Sequence, residues 1–406
     1  MQLDLIYPET PEELLWFKLS LMFEAGSNRF WEIFHGKSED IAEIYKVVSE
    51  NPEKIFPDIS TSEEFEKACN ERAEKVLKDS RYRNIGIITY ENGVYPDSLK
   101  EIYNPPMVLY YRGDVSLLSQ KPNLSIVGSR KSSAYALSLT DKIIRSLKKY
   151  NSDYVFISGF AAGTDIASHI SAVRNGCKTI AVKGCGVDYS YPAVNMRFVP
   201  EILDNGVIIS EYTPGTRPHP RHFPIRNRII AALPDGVIVT EGGAESGSLS
   251  TAHLAIDFGK DVFTIPPFNI LAEECQGNIA LLREGAIPIY GARDILMQNR
   301  GFITELYTLE IEKVKSDGTA GVPNTNSDIP VKTAEGFAPP PDFKFNSDTS
   351  SLSEAEIAVL DIIKTAPGSH SASSLADDRD PDEILDIITE LEMSKFVFRA
   401  ANGLYY

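Results

Sequence analysis

Six short apolar runs constrain this chain more than any other feature: Leu124–Val127, Tyr154–Ser158, Thr179–Val182, Val207–Ser210, Gly236–Val239 and Val262–Ile265. Helical patterns sit between them, among them Ala134–Lys149, Thr164–Asn175 and Ser248–Phe258. Apolar runs this short predict strands buried on both faces, as a parallel sheet covered by helices requires. Strand, loop and helix in repetition predict an α/β core built on an extended, Rossmann-like parallel sheet. Ligands of such sheets bind beyond the carboxyl ends of the strands, where the strand order reverses. The loops that follow the strands are therefore where function is sought.

The flanks have a different texture. Residues 10–80 read as short amphipathic helices, with Leu14, Leu15, Phe17, Leu19, Leu21 and Met22 as one apolar group and Ile41, Ile44, Tyr45 and Val48 at helical spacing. Glu63 to Leu77 reads as a further helix. Two β-type runs follow, from Ile85 to Tyr90 and from Pro105 to Tyr111. Residues 299–350, with Ala338-Pro-Pro-Pro-Asp342, lack periodicity and read as a flexible linker. In the tail, Ser353 with Glu356 reads as a capping box opening a helix to Thr365. Helical stretches at Ser374–Asp377 and Pro381–Met393 precede two strands around Asn402-Gly403, a winged-helix-like order. The expected division is a helical domain at 1–82, the core at 83–298, the linker at 299–350 and a winged-helix-like domain at 351–406.

Net charge is −17, which by itself argues against a polyanionic partner. Its distribution argues otherwise. Lys121 to Asp235 holds 15 Lys and Arg against 8 Asp and Glu, a local +7, while the rest, with 25 against 49, carries −24. An anionic ligand fits the centre. Cys69, Cys177, Cys185 and Cys275 lack metal-ligand or disulfide spacing, so no metal is expected and a reducing cytoplasm is the simple reading. The start, Met1-Gln-Leu-Asp-Leu-Ile, lacks the basic and long apolar segments of a secretory signal, and no run is long enough for a membrane span.

Five loops share one chemistry. Gly128-Ser129-Arg130-Lys131 ends the first core strand and opens a helix, combining close backbone approach, helix-end amides and a guanidinium suited to phosphate. Taken singly it is equally an ordinary helix cap beside a solvated arginine. Gly159-Phe160-Ala161-Ala162-Gly163 ends the second strand, and Lys183 stands beside Gly184 and Gly186 after the third. Next come Ser210-Glu211 and the run Phe223-Pro-Ile-Arg226-Asn227-Arg228. Arg226 and Arg228 are two apart and do not share a helix face. One is expected to reach the ligand and the other to pair internally, with Asp235 or Glu241 as partner. Ser246-Gly247-Ser248 opens the next helix, placed where a phosphate would rest. His219 and His222 read as loop histidines, since no third ligand stands near them. No nucleophile lies beside a base, and the dinucleotide and Walker glycine patterns are absent, so neither a catalytic set nor a cofactor is expected.

The ordered set of Tyr95-Pro96, Pro105-Pro106, Ser125-Ile-Val-Gly-Ser-Arg130, Ser158-Gly-Phe-Ala-Ala-Gly-Thr-Asp165 with His169, Tyr191-Pro192, Ser210-Glu211, Phe223–Ile230 and Ser246–Ala252 resembles the DNA-processing protein A family, also called DprA or Smf. The likeness runs from about Ile85 to Ala286. It implies a helical N-terminal domain of the SAM or helix-hairpin-helix kind, a Rossmann core and often a winged helix. It also implies a non-enzymatic homodimer that shields incoming single-stranded DNA during natural transformation, the competence process, and hands it to the RecA recombinase. Carried over by position, Gly128, Ser129, Arg130, the Gly159–Gly163 turn, Lys183, Arg226 and Asn227 would contact the DNA backbone. Where the family carries a basic residue this chain has Ala162, and where it carries Pro-Gly this chain has Pro266-Pro267. The last tail helix bears Asp382, Glu383, Asp386, Glu390 and Glu392, a poor complement to a DNA groove, and is expected to bind protein or the rest of its own chain. The alternative reading is a nucleotide-binding or nucleoside-monophosphate phosphoribohydrolase-like enzyme using Glu211 or Glu241. A third is a nucleotide sensor without turnover.

Overall fold

The computed structural model describes residues 5–34, 38, 40–151, 153–298 and 353–365, with Ile387 and Leu391 beyond. The chain divides into two compact units, Met1–Glu312 and Lys313–Tyr406.

The first unit begins with four helices, α1 (Pro11–Ser20), α2 (Arg29–Phe34), α3 (Ile41–Glu50) and α4 (Ser62–Tyr82). Two of them start at capping boxes, Thr10 with Glu13 and Thr61 with Glu64, which satisfy otherwise unpaired first-turn amides. Their core is aromatic, with Trp16, Phe23, Phe30, Phe34, Phe56 and Phe65 packed together. α1 is buried on two sides. Trp16 and Leu19 face this cluster, while Phe17 joins Ile87, Val108 and Ile208 of the sheet. Leu14, Leu15, Leu21 and Met22 are half-buried, and Leu15, Met22 and Leu21 pack against these clusters, while the bulkier aromatic rings occupy the interior.

Nine strands then form one sheet: β1 (Gly86–Thr89), β2 (Val108–Gly113), β3 (Asn123–Val127), β4 (Val155–Ser158), β5 (Lys178–Val182), β6 (Gly206–Ser210), β7 (Gly236–Val239), β8 (Asp261–Thr264) and β9 (Ile287–Pro288). Their order is β1-β2-β6-β5-β4-β3-β7-β8-β9. β2 pairs antiparallel with β1 and β6, and β6 through β9 run parallel in that order. The six core strands lie within a residue of the apolar runs that announced them. Side chains alternate across the sheet. Val155, Ile157, Val237 and Val239 face one layer, and Phe156 and Ile238 the other. Burying each contributes about 1.5–3 kcal/mol, which is why these runs select a central sheet over any exposed alternative.

Helices pack on the sheet: α5 (Asp97–Lys100) between β1 and β2, the connecting helices α6 (Ala134–Tyr150), α7 (Thr164–Arg174), α8 (Val199–Asn205), α9 (His222–Ala232), α10 (Gly247–Asp257) and α11 (Gln276–Arg283), and α12 (Ala292–Gln298) after β9. From β3 the chain winds through β4 and β5 to β6, then returns to lay β7 on the other side of β3. The order therefore reverses between β3 and β7, and a crevice opens beyond their carboxyl ends.

In the second unit, Glu354–Thr365 is a helix with Val359, Leu360 and Ile363 buried, a spacing that puts them on one stripe. The expected linker, and the helices and hairpin of the winged-helix reading after Thr365, lie outside the described residues apart from Ile387 and Leu391, both helical.

Candidate nucleic-acid interface

The crevice at the switch point is a groove of about 710 Å³ whose walls include Gly128, Ser129, Arg130, Phe223, Asn227 and Gly247. Loops after β3, β4 and β7 and the start of α9 thus meet in one place, as the sequence pattern proposed.

Gly128 has no room for a side chain. A Cβ there would lie 2.4 Å from Thr164 Oγ1 and 2.5 Å from Thr240 Oγ1. Those hydroxyls are 3.0 Å apart and join the ends of β3, α7 and β7. Beyond this knot the chain emerges, and Arg130 and Lys131 are exposed. The Arg130 guanidinium lies 5.8 Å from the centre of the Phe223 ring, and the Tyr191 ring centre lies 5.6 Å from that of Phe223. An exposed cation over one ring, with a second ring beside it, suits a phosphate beside an unstacked base. Asn227 Nδ2 reaches Gly247 O at 3.4 Å and links α9 to the start of α10. There Ser246 caps Ser248 N, Gly247 faces open space, and the Ser248 hydroxyl turns inward onto Ser246 Oγ at 2.7 Å.

Other predicted groups have internal partners instead. The helix end expected to attract an anion at α6 already holds one: the Ser133 N–H donates to both Glu241 carboxylate oxygens at 3.0 and 3.3 Å, and the Ser133 hydroxyl donates to Oε2. Lys183 is 3% exposed and its ammonium donates to Val187 O and Tyr189 O, while burial pulls its pKa down. Arg228 is 3% exposed and forms a bidentate pair with Glu211, 2.7 Å at each oxygen, with Nε donating to Asn104 O at 3.0 Å. The partner expected for it, Asp235 or Glu241, is thereby corrected to Glu211. Asp235 pairs with Lys121 at 2.6 Å. Arg226 is also buried, at 4% exposed, yet its side chain lines the groove, so neither arginine stands free at the surface. Both lie where α9 turns into the protein: Ile229 through Leu233 are all buried, while the first turn, His222 to Ile225, stays at least partly exposed. Phe160, within the turn expected to contact DNA, is 1% exposed and lies 5.7 Å from the Lys183 ammonium, so its ring is not free to stack on a base. Exposed Tyr191 takes the place at the groove that Phe160 cannot.

Three residues matter more than their sequence context suggested. Asn278 accepts from Gly242 N at 2.9 Å and donates to Thr240 O, Thr264 Oγ1 and Ile265 O, so one amide stitches the β7 and β8 ends. Asn195 Nδ2 donates to Phe160 O at 3.0 Å. Asp165 is buried, accepts from Ala161 N, and has its pKa raised by burial against the opposing pull of Arg226. His169, which carried part of the resemblance, is held at Nδ1 by Thr179 Oγ1 at 2.7 Å; burial, then the Arg226 charge, depresses its pKa to about 3. Among the described residues no group of three or more His, Cys, Asp and Glu could hold a metal ion.

Fold and groove together define a class: an extended Rossmann-type α/β protein with an arginine-bearing, aromatic-flanked crevice at its switch point. The family described as DNA recombination-mediator protein A matches residues 86–300. The DNA processing protein DprA of Streptococcus pneumoniae (strain ATCC BAA-255 / R6) is 43% identical over 204 residues, 50% of this chain and 71% of that one. Its Bacillus subtilis (strain 168) counterpart is 36% identical over 221 residues, 54% and 73% of the two chains. An X-ray structure of the Streptococcus pneumoniae protein matches with a TM-score of 0.57 and 33% identity, covering 70% of this chain and 97% of that one. The chain belongs to the DNA recombination-mediator protein A family, and a DNA-processing role follows from that membership.

Proposed function

We propose that this protein binds single-stranded DNA along the switch-point groove, shields it and delivers it to the RecA recombinase during natural transformation. One observation carries the reading: Arg130 stands exposed over Phe223, with Tyr191 against the same ring, in a groove lined also by Gly128, Ser129, Asn227 and Gly247. Exposed cations track phosphates, and exposed rings stack on bases without sequence preference. Homodimer formation, a cytoplasmic location and the limits 1–82, 83–298, 299–350 and 351–406 belong to the same proposal. No helix among the described residues is long and apolar enough to cross a membrane. The hydrolase reading is disfavoured, because both carboxylates it would use, Glu211 and Glu241, have both oxygens engaged inside the protein.

The test is anisotropy of a fluorescent dT oligonucleotide at several salt concentrations. For single strands the slope of log K against log salt is about −0.7 per phosphate contacted. Arg130→Ala is expected to weaken binding and to flatten the slope by about one such unit. Absence of wild-type binding at low salt would falsify the reading, and base release from a nucleoside monophosphate would then be assayed.

A further inference from the structure

Arg226 is a buried arginine with an unusual set of partners. It is 4% exposed and forms no ion pair among the described residues. Its Nη1 donates to Gly159 O at 2.6 Å and also to Val182 O. Those carbonyls stand at the ends of adjacent strands β4 and β5, so one nitrogen clamps both. Its Nε has no partner and is closed to solvent, which leaves no path for a phosphate to that atom. The buried Asp165 carboxylate attracts it without a direct ion pair, yet burial still pulls the Arg226 pKa down to about 10, so the remaining cost has to be offset by what the cation holds in place.

What it holds is the Gly159–Gly163 turn. A Cβ on Gly159 would lie 2.6 Å from Arg226 Nη1, 2.7 Å from Nη2 and 2.6 Å from Asp165 Oδ2. The next residue, Phe160, has φ +58, a conformation that non-glycine residues adopt only when their surroundings impose it. Asn195 fixes its carbonyl. At the other end Gly163, with φ +78, presses on the Arg130 loop: a Cβ there would lie 2.2 Å from Ser129 O and 2.7 Å from the Arg130 carbonyl carbon. Thr164 N donates to Ser129 O at 3.1 Å. Close contacts therefore run without a break from the Arg226 guanidinium to the Arg130 backbone.

We propose that Arg226 is a positioning residue that sets the Gly159–Gly163 turn, and through it Arg130, for a phosphate, without touching the strand itself. This rests on the single-strand reading above, and it removes Arg226 from the groups that contact DNA.

The experiment is a double-mutant cycle on the full chain, with Arg130→Ala, Arg226→Lys and both, titrated with a fluorescent dT oligonucleotide at several salt concentrations. Arg226→Lys keeps the charge but cannot hold two carbonyls in the same geometry. It is expected to weaken binding about as much as Arg130→Ala and to flatten the salt slope by about 0.7 despite the retained charge. In the Arg130→Ala background it is expected to add nothing, because coupled residues are non-additive. Additive losses would overturn the proposal, since Arg226 would then make its own contact. So would a lowered Tm with affinity and slope intact, the mark of a purely structural brace. If Arg226→Lys does not fold, Asn195→Ala takes its place in the cycle, with the same non-additivity expected and additivity again fatal. If wild type binds no strand, the single-strand reading falls and takes this inference with it; binding by wild type with additive losses overturns this inference alone.

Discussion

Glu211→Gln is the sharpest stability test that the structure offers. Gln keeps the shape of Glu211 and removes its charge, leaving Arg228 buried without a counter-ion. Burial disfavours the Arg228 charge, but Glu211 more than offsets this and holds its pKa above the ordinary arginine value. Both side chains are almost wholly enclosed, 3% and 4% exposed, so water cannot replace the lost partner. Removing one member of such a pair costs about 3–5 kcal/mol. At about 2–4 °C per kcal/mol for a unit of this size, that is a fall in Tm of roughly 6–20 °C. Thermal unfolding followed by circular dichroism measures it. Replacing both residues, Glu211→Leu with Arg228→Met, is expected to recover part of the loss, because two apolar groups leave no buried charge. Recovery is incomplete because Asn104 O loses the Arg228 Nε–H that it accepts. A single mutant within about 2 °C of wild type, under 1 kcal/mol by the same scale, would refute the argument that this enclosed pair is the protein's main buried electrostatic link.

Three further outcomes are expected. Gly163→Ala places a methyl against Ser129 O in a left-handed backbone, which costs about 1–2 kcal/mol from the conformation alone; urea unfolding should show at least that, and oligonucleotide affinity should fall with it. Asn278→Ala leaves Gly242 N without its acceptor and should lower stability by about 1–3 kcal/mol, with Asn278→Asp not restoring it because the donated bonds are gone; an unchanged urea midpoint for Asn278→Ala would count against the role given to this amide. His169 is neutral in the folded protein down to about pH 3 but takes a proton near pH 6.5 when unfolded. Its contribution is therefore complete above pH 6.5 and is lost as pH falls toward 3, by up to about 1.4 kcal/mol per pH unit. Stability curves for wild type and His169→Gln should converge across that interval, and parallel curves would contradict it.

The sequence by itself determined the class of fold, the place of the six core strands within a residue, and the loops that meet at the groove. Those follow from short-range physics: apolar periodicity, glycine where backbone approaches closely, and capping residues at helix starts. It also carried the family resemblance, because the motifs stand in a fixed order. Tertiary structure alone decided which charges are free. Arg228 finds Glu211 because α9 folds back over the end of β6, and Ser133 finds Glu241 across a separation of 108 residues only because β3 and β7 become neighbours when the strand order reverses. Lys183 and Arg226 look like surface cations in the sequence, yet neighbouring strand ends and loops enclose them. Burial is a property of the assembled layers, and no local pattern encodes which side of a helix another helix will cover.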